Sequence, residues 1–410
     1  MPDVSFTNLL VVAAVAVLAP LTVGFAPRLR IPAVVLEIIG GIIIGPSGLG
    51  WVHVDLPVQI LALFGLAFLL FLAGLEIEVH QLRGRLLRFA VLGYLVSLVL
   101  GYGAGASFTA AGWVSQPLLI AIILSATALG VVVPVLKDAG QVHSQVGQTA
   151  LAAASIADFT AIVLLSLFFS SSGGSTGAKV VVLGAFAVLV AVTAMVVSGA
   201  ARSRRLGQVL VRLQDTTAEI RVRFAVLLLV AFTVLAERFG LESILGAFLA
   251  GAVVGLVDRD SSSHPQFRTK LDAIGYGFLV PVFFVSSGIR LDLTGLLHSP
   301  SALARVPLFL LALLAVRGLP ALLGLRANGT RPTLALGLLQ ATSLPFIVTA
   351  TQIGVALGKL SSVTAAALVC AGLLSVLIFP LLALGLLRRD EPGREAIPDA
   401  TASVAEPHLM

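Results

Sequence analysis

SATALGVVVPVLKDAG (125–140) and QATSLP (340–345) fall inside two long apolar runs and spoil both as regular helices. Thr127, Gly130 and Pro134 interrupt the first, and Thr342, Ser343 and Pro345 interrupt the second. A break in a membrane helix frees backbone amides and carbonyls that need partners, and such groups can line an ion cavity. A simple proline kink would account for either run alone. The pair gains weight because the two stretches correspond, 215 residues apart (125 to 340), and other matches share nearly the same spacing. IGGIIIG (39–45) is echoed by LAGAVVG (249–255), an offset of 210, and GLEIE (74–78) by GIRLD (288–292), an offset of 214. Each match is weak alone, but their common order implies a duplicated unit.

Working outward, thirteen apolar segments approach the roughly 20 residues that cross a bilayer: 6–26, 32–50, 57–78, 87–112, 116–137, 146–170, 178–200, 219–238, 241–257, 271–289, 302–324, 332–356 and 361–386. The segments at 241–257 and 271–289 are short for spans. Of the 410 residues 58% are apolar and 11% charged, against about 25% charged in a soluble domain. That composition excludes a soluble enzyme or a nucleic-acid binder, and the net charge of +6 reports loop orientation rather than a nucleic-acid partner. The lone cysteine, Cys370, allows no internal disulfide and no cysteine-based metal centre. MPDVSFTNLL (1–10) lacks the basic start and cleavage site of a signal peptide and is read as mature.

Lysine and arginine concentrate on the inner side of spanning proteins. With the N-terminus outside, 20 of the 26 basic residues fall in inner segments and five outside: Lys179, Arg238, Arg290, Arg305 and Lys359. Arg317 alone falls mid-span. That split supports both the count and an orientation with the C-terminus in the cytoplasm of a bacterial cell. Spans 1–6 and 8–13 then form two halves joined by span 7, and an odd linker inverts the second half. Inverted repeats of this kind characterise secondary transporters, whose sites lie near the midplane at interrupted helices.

Among the 20 acids, one lies deep. Asp158 sits mid-way along span 6, in AAASIADFTAIVLL (152–165), whereas Glu37, Glu76, Glu78 and Glu242 can reach an interface. A carboxylate at the bilayer centre costs about 2.5–3.5 kcal/mol on insertion scales and needs a reason. One reason is ion exchange. A buried carboxylate is neutralised either by a proton or by a nearby cation, so the two compete for the same oxygens. A hard cation prefers oxygen ligands, and the Thr127 and Ser155 hydroxyls complete a monovalent-cation site with Asp158; Ser155 shares its helix face three residues earlier. Ala126, Gly130, Thr342 and Ser343 line the breaks. Arg317, always protonated, either pairs with Asp158 or neutralises the carbonyl ends of the broken helices. His143 and His264 lie in inner loops, where they are solvated or sense pH.

At this point the chain resembles the monovalent cation:proton antiporter family two, which includes Kef-type and NapA-like sodium/proton exchangers. The residues that carry the resemblance are LEIIGGIIIGPSGLG (36–50), FLLFLAGLEIE (68–78), SATALGVVVPVLKDAG (125–140), ASIADF (154–159) and PVFFVSSGIRLDL (281–293). The resemblance implies an all-α polytopic membrane protein of the NhaA-like antiporter fold, with about 13 transmembrane helices and crossed broken helices. It implies a homodimer in the lipid bilayer. Residues 1–86 and 219–293 would form a dimerisation scaffold, 87–172 and 294–386 a mobile core, 173–218 the linker span with a basic inner loop, and 387–410 a polar cytoplasmic tail. Sodium or potassium and protons would be the cargo, with no cofactor. The family aspartate falls on Asp158 and the basic residue of span 11 on Arg317. The family usually places Asp, Asn or Gln before the aspartate; here Ala157 stands there, implying electroneutral exchange. No nucleotide-binding domain follows span 13, so Kef-type gating is not expected within this chain. A cation channel or leak pathway, and a sodium-coupled solute symporter, remain the alternatives.

Overall fold

The computed structural model describes residues 5–25, 32–76, 84–138, 140–142, 144–169, 176–201, 219–257 and 265–388. His143, His264, Glu78, most of the basic inner-loop residues and the tail beyond Arg388 lie outside the described residues.

The described chain is helical throughout. The helices are α1 (Thr7–Phe25), α2 (Ala33–Ile44), α3 (Leu56–Leu75), α4 (Gly84–Ala110), α5 (Pro117–Ser125), α6 (Leu129–Asp138), α7 (Gln145–Phe169) and α8 (Thr176–Ala201). They continue as α9 (Ile220–Arg238), α10 (Ser243–Val257), α11 (Pro265–Ile274), α12 (Val280–Ile289), α13 (Arg305–Leu313), α14 (Thr330–Gln340), α15 (Pro345–Ala356) and α16 (Ser362–Arg388). Eight helical stretches among the described residues are long and apolar enough to cross a membrane. Shorter apolar helices, including α2 and α10, accompany them. Outward faces carry large apolar side chains such as Leu63, Val99, Val181 and Leu227, as expected of helices whose backbone is satisfied internally and whose surroundings are lipid.

Local sequence explains where several elements start. Asp55 caps α3 by accepting from the Val58 amide at 3.2 Å, and Asn8 donates to its other oxygen at 3.0 Å, tying α1 to that cap. The chain before α12 differs from the expectation of a span starting at 271. The helix begins at Pro265 and passes through a π-helical turn, Gly275–Leu279, before α12.

Two groups of helices pack closely. One sets α2 against α12, and α3 against α10 and α12. Its seams are built on glycine. A Cβ on Gly251 of α10 would land on the Phe71 carbonyl of α3, and one on Gly41 of α2 would meet the Val285 carbonyl of α12. Small residues let membrane helices approach backbone to backbone, where dispersion replaces the hydrophobic drive. The other group packs α4 on α5 and α7, and α16 on α13, α14 and α15. Gly251→Val is therefore expected to abolish monodisperse protein in detergent or lower its melting temperature by many degrees, since overpacking of this kind costs about 3 kcal/mol or more. Gly103→Ala on α4, where nothing lies within 4 Å, is the control and should melt like the parent. A normal melt for Gly251→Val would show that the seam yields.

Candidate functional site

The site is built where α5/α6 and α14/α15 break. Helix α5 stops at Ser125 because Ala126 takes an extended conformation (φ −78°, ψ 158°), and helix resumes at Leu129. Helix α14 stops at Gln340, and α15 begins at Pro345, a first-turn position where the missing amide hydrogen costs nothing. The two breaks touch: the Ala128 amide donates to the Thr342 carbonyl at 2.8 Å. Two helix N-termini, those of α6 and α15, and two C-termini, those of α5 and α14, therefore meet within the protein. Each N-terminus carries a partial positive charge and each C-terminus a partial negative one.

Asp158 of α7 answers the positive end. Its carboxylate accepts from the Thr127 amide at 3.3 Å and the Leu129 amide at 3.4 Å. Asp158 is half-buried. One turn earlier, Ser155 is buried and donates to the Leu151 carbonyl at 2.9 Å, which leaves its oxygen lone pairs available.

Arg317 lies one hydroxyl away from the carbonyl end of α14. It is 1% exposed and sits in a π-helical segment, Leu314–Gly318, that follows α13. Nε and Nη2 donate to Thr127 Oγ1 at 2.8 and 2.6 Å, and Nη1 donates to Ser97 Oγ at 3.2 Å. The Thr127 hydroxyl in turn donates to the Gln340 carbonyl, the last residue of α14, at 2.7 Å. Among the described residues no ion pair joins Arg317 to Asp158, and the guanidinium connects to the carbonyl end of α14 through the Thr127 hydroxyl. Thr127 stands between the charges, with its amide on the carboxylate and its hydroxyl on the guanidinium. A hydroxyl has one hydrogen and two lone pairs, and all are used here. The expectation that Thr127 Oγ1 would be a cation ligand therefore meets a saturated oxygen.

The other residues expected at the breaks divide. Ala126 is fully buried and Gly130 is exposed near the Tyr276 hydroxyl. The Thr342 hydroxyl bonds its own helix at Leu338, 3.1 Å, while its carbonyl makes the bond between the breaks. The Ser343 amide donates to the Ser375 hydroxyl of α16 at 3.1 Å, and the same hydroxyl donates to the Ser343 carbonyl at 3.0 Å. The sequence reading missed Ser97, Tyr94 and Ser125, all buried, and undervalued Glu76. That carboxylate lies within electrostatic reach of Asp158, Asp272 and Arg268, and its Oε2 has no hydrogen-bond partner among the described residues.

The transmembrane sodium/hydrogen exchanger family matches residues 13–384. A putative Na(+)/H(+) antiporter of Bacillus subtilis, YjbQ, is 33% identical, over 96% of this chain and 65% of its own length. The chain thus spans just under two thirds of that relative. A probable Na(+)/H(+) antiporter of Methanocaldococcus jannaschii is 25% identical over 86% of this chain and 90% of its own. The structure of the sodium proton antiporter MjNhaP1 from the same archaeon aligns with a TM-score of 0.60 at 18% identity, covering 93% of this chain and 97% of that one. At that identity the likeness shows a shared fold.

Proposed function

The chain belongs to the sodium/hydrogen exchanger family, and from that premise we propose that it exchanges a monovalent cation, sodium ahead of potassium, for protons across a bacterial plasma membrane. The observation that carries this reading is the Asp158 carboxylate held by two amides at an interrupted helix, half-buried, with no ion pair to Arg317. In one state Asp158 holds a proton; in the other it holds the cation, with Ser155 Oγ as a second oxygen. Both loaded states are neutral at the carboxylate, whereas the empty charged site faces the desolvation cost of a bare carboxylate. With Ala157 beside it there is no second carboxylate to load, so exchange is one for one and electroneutral. Thr127 contributes through its backbone, and its hydroxyl holds Arg317.

The same reading takes α5 with α6, α11 with α12, and α14 with α15 as single crossings, which makes thirteen in two inverted halves. Residues 1–86 and 219–293 serve as the dimerisation scaffold, and residues 87–172 and 294–386 as the mobile core. The two packing groups support that division. Gln352 to Ser287 and the Glu242 amide to Ser166, each 3.0 Å, bridge core and scaffold near the proposed outer side. Movement of the core that exposes Asp158 outward has to break both.

The test is purified protein in liposomes with a trapped pH dye. A sodium gradient is expected to drive proton movement, with lithium and potassium compared in parallel, and the rate is expected to ignore an imposed membrane potential. Cation current without proton coupling would point to a channel. A requirement for an organic solute would point to a symporter, and voltage-sensitive rates would overturn electroneutrality.

A further inference from the structure

Helix α4 carries two buried hydroxyls one turn apart, one reaching Arg317 and the other the end of α5. Ser97, 0% exposed, accepts from Arg317 Nη1 at 3.2 Å. Tyr94, 3% exposed, lies 3.1 Å from Ser125 Oγ at the C-terminus of α5. The Ser125 hydrogen goes to the Ile122 carbonyl at 3.0 Å, so Tyr94 is the donor. One face of α4 therefore fixes both the end of α5 and the far side of the guanidinium.

The placement of Ser97 matters because of where Arg317 does not go. A buried guanidinium and a half-buried carboxylate attract each other inside a protein more than in water, and a bidentate Arg–carboxylate pair is among the strongest contacts available. Such a pair would occupy the oxygens that a transported cation needs. The hydroxyls of Thr127 and Ser97 take three of the guanidinium hydrogens instead. Thr127 bonds both charges, and Ser97 holds the guanidinium nitrogen that Thr127 does not.

Resting on the exchange reading above, we propose that Ser97 is a positioning residue for cation affinity, holding the Arg317 guanidinium off Asp158 so that the carboxylate stays open to the transported ion. Ser97 touches neither cation nor carboxylate and acts through Arg317.

The test titrates sodium against proton movement in liposomes for the full chain and for Ser97→Ala, Ser97→Cys and Ser97→Thr. Cysteine nearly matches serine in volume but is a weak hydrogen-bond acceptor, so it decides the question if the alanine variant does not fold. With the hydroxyl gone, Nη1 is free to turn toward Asp158. Ser97→Ala and Ser97→Cys are expected to raise the KM for sodium roughly tenfold, the scale of one charge-assisted hydrogen bond, with Vmax within about twofold. Ser97→Thr, which keeps the hydroxyl, is expected to restore the parent KM. A fall in Vmax at unchanged KM, a parent KM in both hydroxyl-less variants, or a threonine variant that behaves like alanine would overturn the proposal. Failure of the exchange reading is visible in the unsubstituted chain, which would give no cation-dependent dye response and would take this proposal with it. Failure of the positioning role appears only in the variants, against a working parent.

Discussion

Asp158→Asn is expected to abolish exchange while leaving the protein folded. Asparagine matches aspartate in shape, and its carbonyl can still accept from the amides of Thr127 or Leu129. What it loses is the charge and the ability to take up and release a proton. At an effective dielectric constant of about 20, a carboxylate 4 Å from a monovalent cation contributes on the order of 4 kcal/mol, or about a thousandfold in affinity. A cation arriving at a neutral amide finds none of this. Two measurements separate loss of chemistry from loss of fold. The dye response to sodium should fall to the level of empty liposomes, while size-exclusion profile and melting temperature stay close to those of the parent. A third readout reports binding directly. Sodium that binds only the folded state raises the melting temperature, and that rise should vanish in the variant. Exchange at the parent rate would remove Asp158 from the centre of the reading.

Asp158 was legible in the sequence because charge in a long apolar run is costly and therefore conspicuous. The broken helices were legible for a related reason, though not residue by residue. Pro345 marks its break correctly because it opens α15. Pro134 does not; it lies inside α6, and the break falls upstream at residues 126–128. Membrane helices tolerate proline where neighbours satisfy the freed groups, so a proline signals the segment and not the position. The π-helical turn at Arg317 left no trace, since inside an unbroken apolar run a change of helical period alters no visible pattern. Ser97 and Tyr94 were overlooked for another reason. On the same helix, Ser107 and Thr109 bond carbonyls four residues back, Gly103 and Gly105, each at 2.9 Å. Hydroxyls in apolar helices routinely do this, so residue type alone cannot tell the ones that reach a neighbour. Only packing brings Ser97 within reach of a residue 220 positions away.

Arg317→Met should damage both stability and transport, and Arg317→Lys should fall between it and the parent. Methionine fills much of the same volume without charge or donors. Its presence would remove the positive group linked through Thr127 to the C-terminus of α14, and would strip Thr127 and Ser97 of their donors. An acceptor left buried and unsatisfied costs about 1–3 kcal/mol, and a lost cation at a helix C-terminus costs up to about 2 kcal/mol in a partly buried setting. A combined loss of about 3–5 kcal/mol is expected, seen as a melt lowered by several degrees, with exchange below about a tenth of the parent rate. Lysine keeps the charge, but its ammonium is compact and lacks the planar fork. Its single nitrogen replaces the three that Arg317 uses on Thr127 and Ser97. The order Arg, Lys, Met should therefore hold in melting temperature and in exchange alike. A lysine variant equal to the parent in both would mean that only the charge matters at the crossing. A methionine variant equal to the parent would mean that the opposed helix ends need no cation, and the charge balance proposed for the site would fall with it.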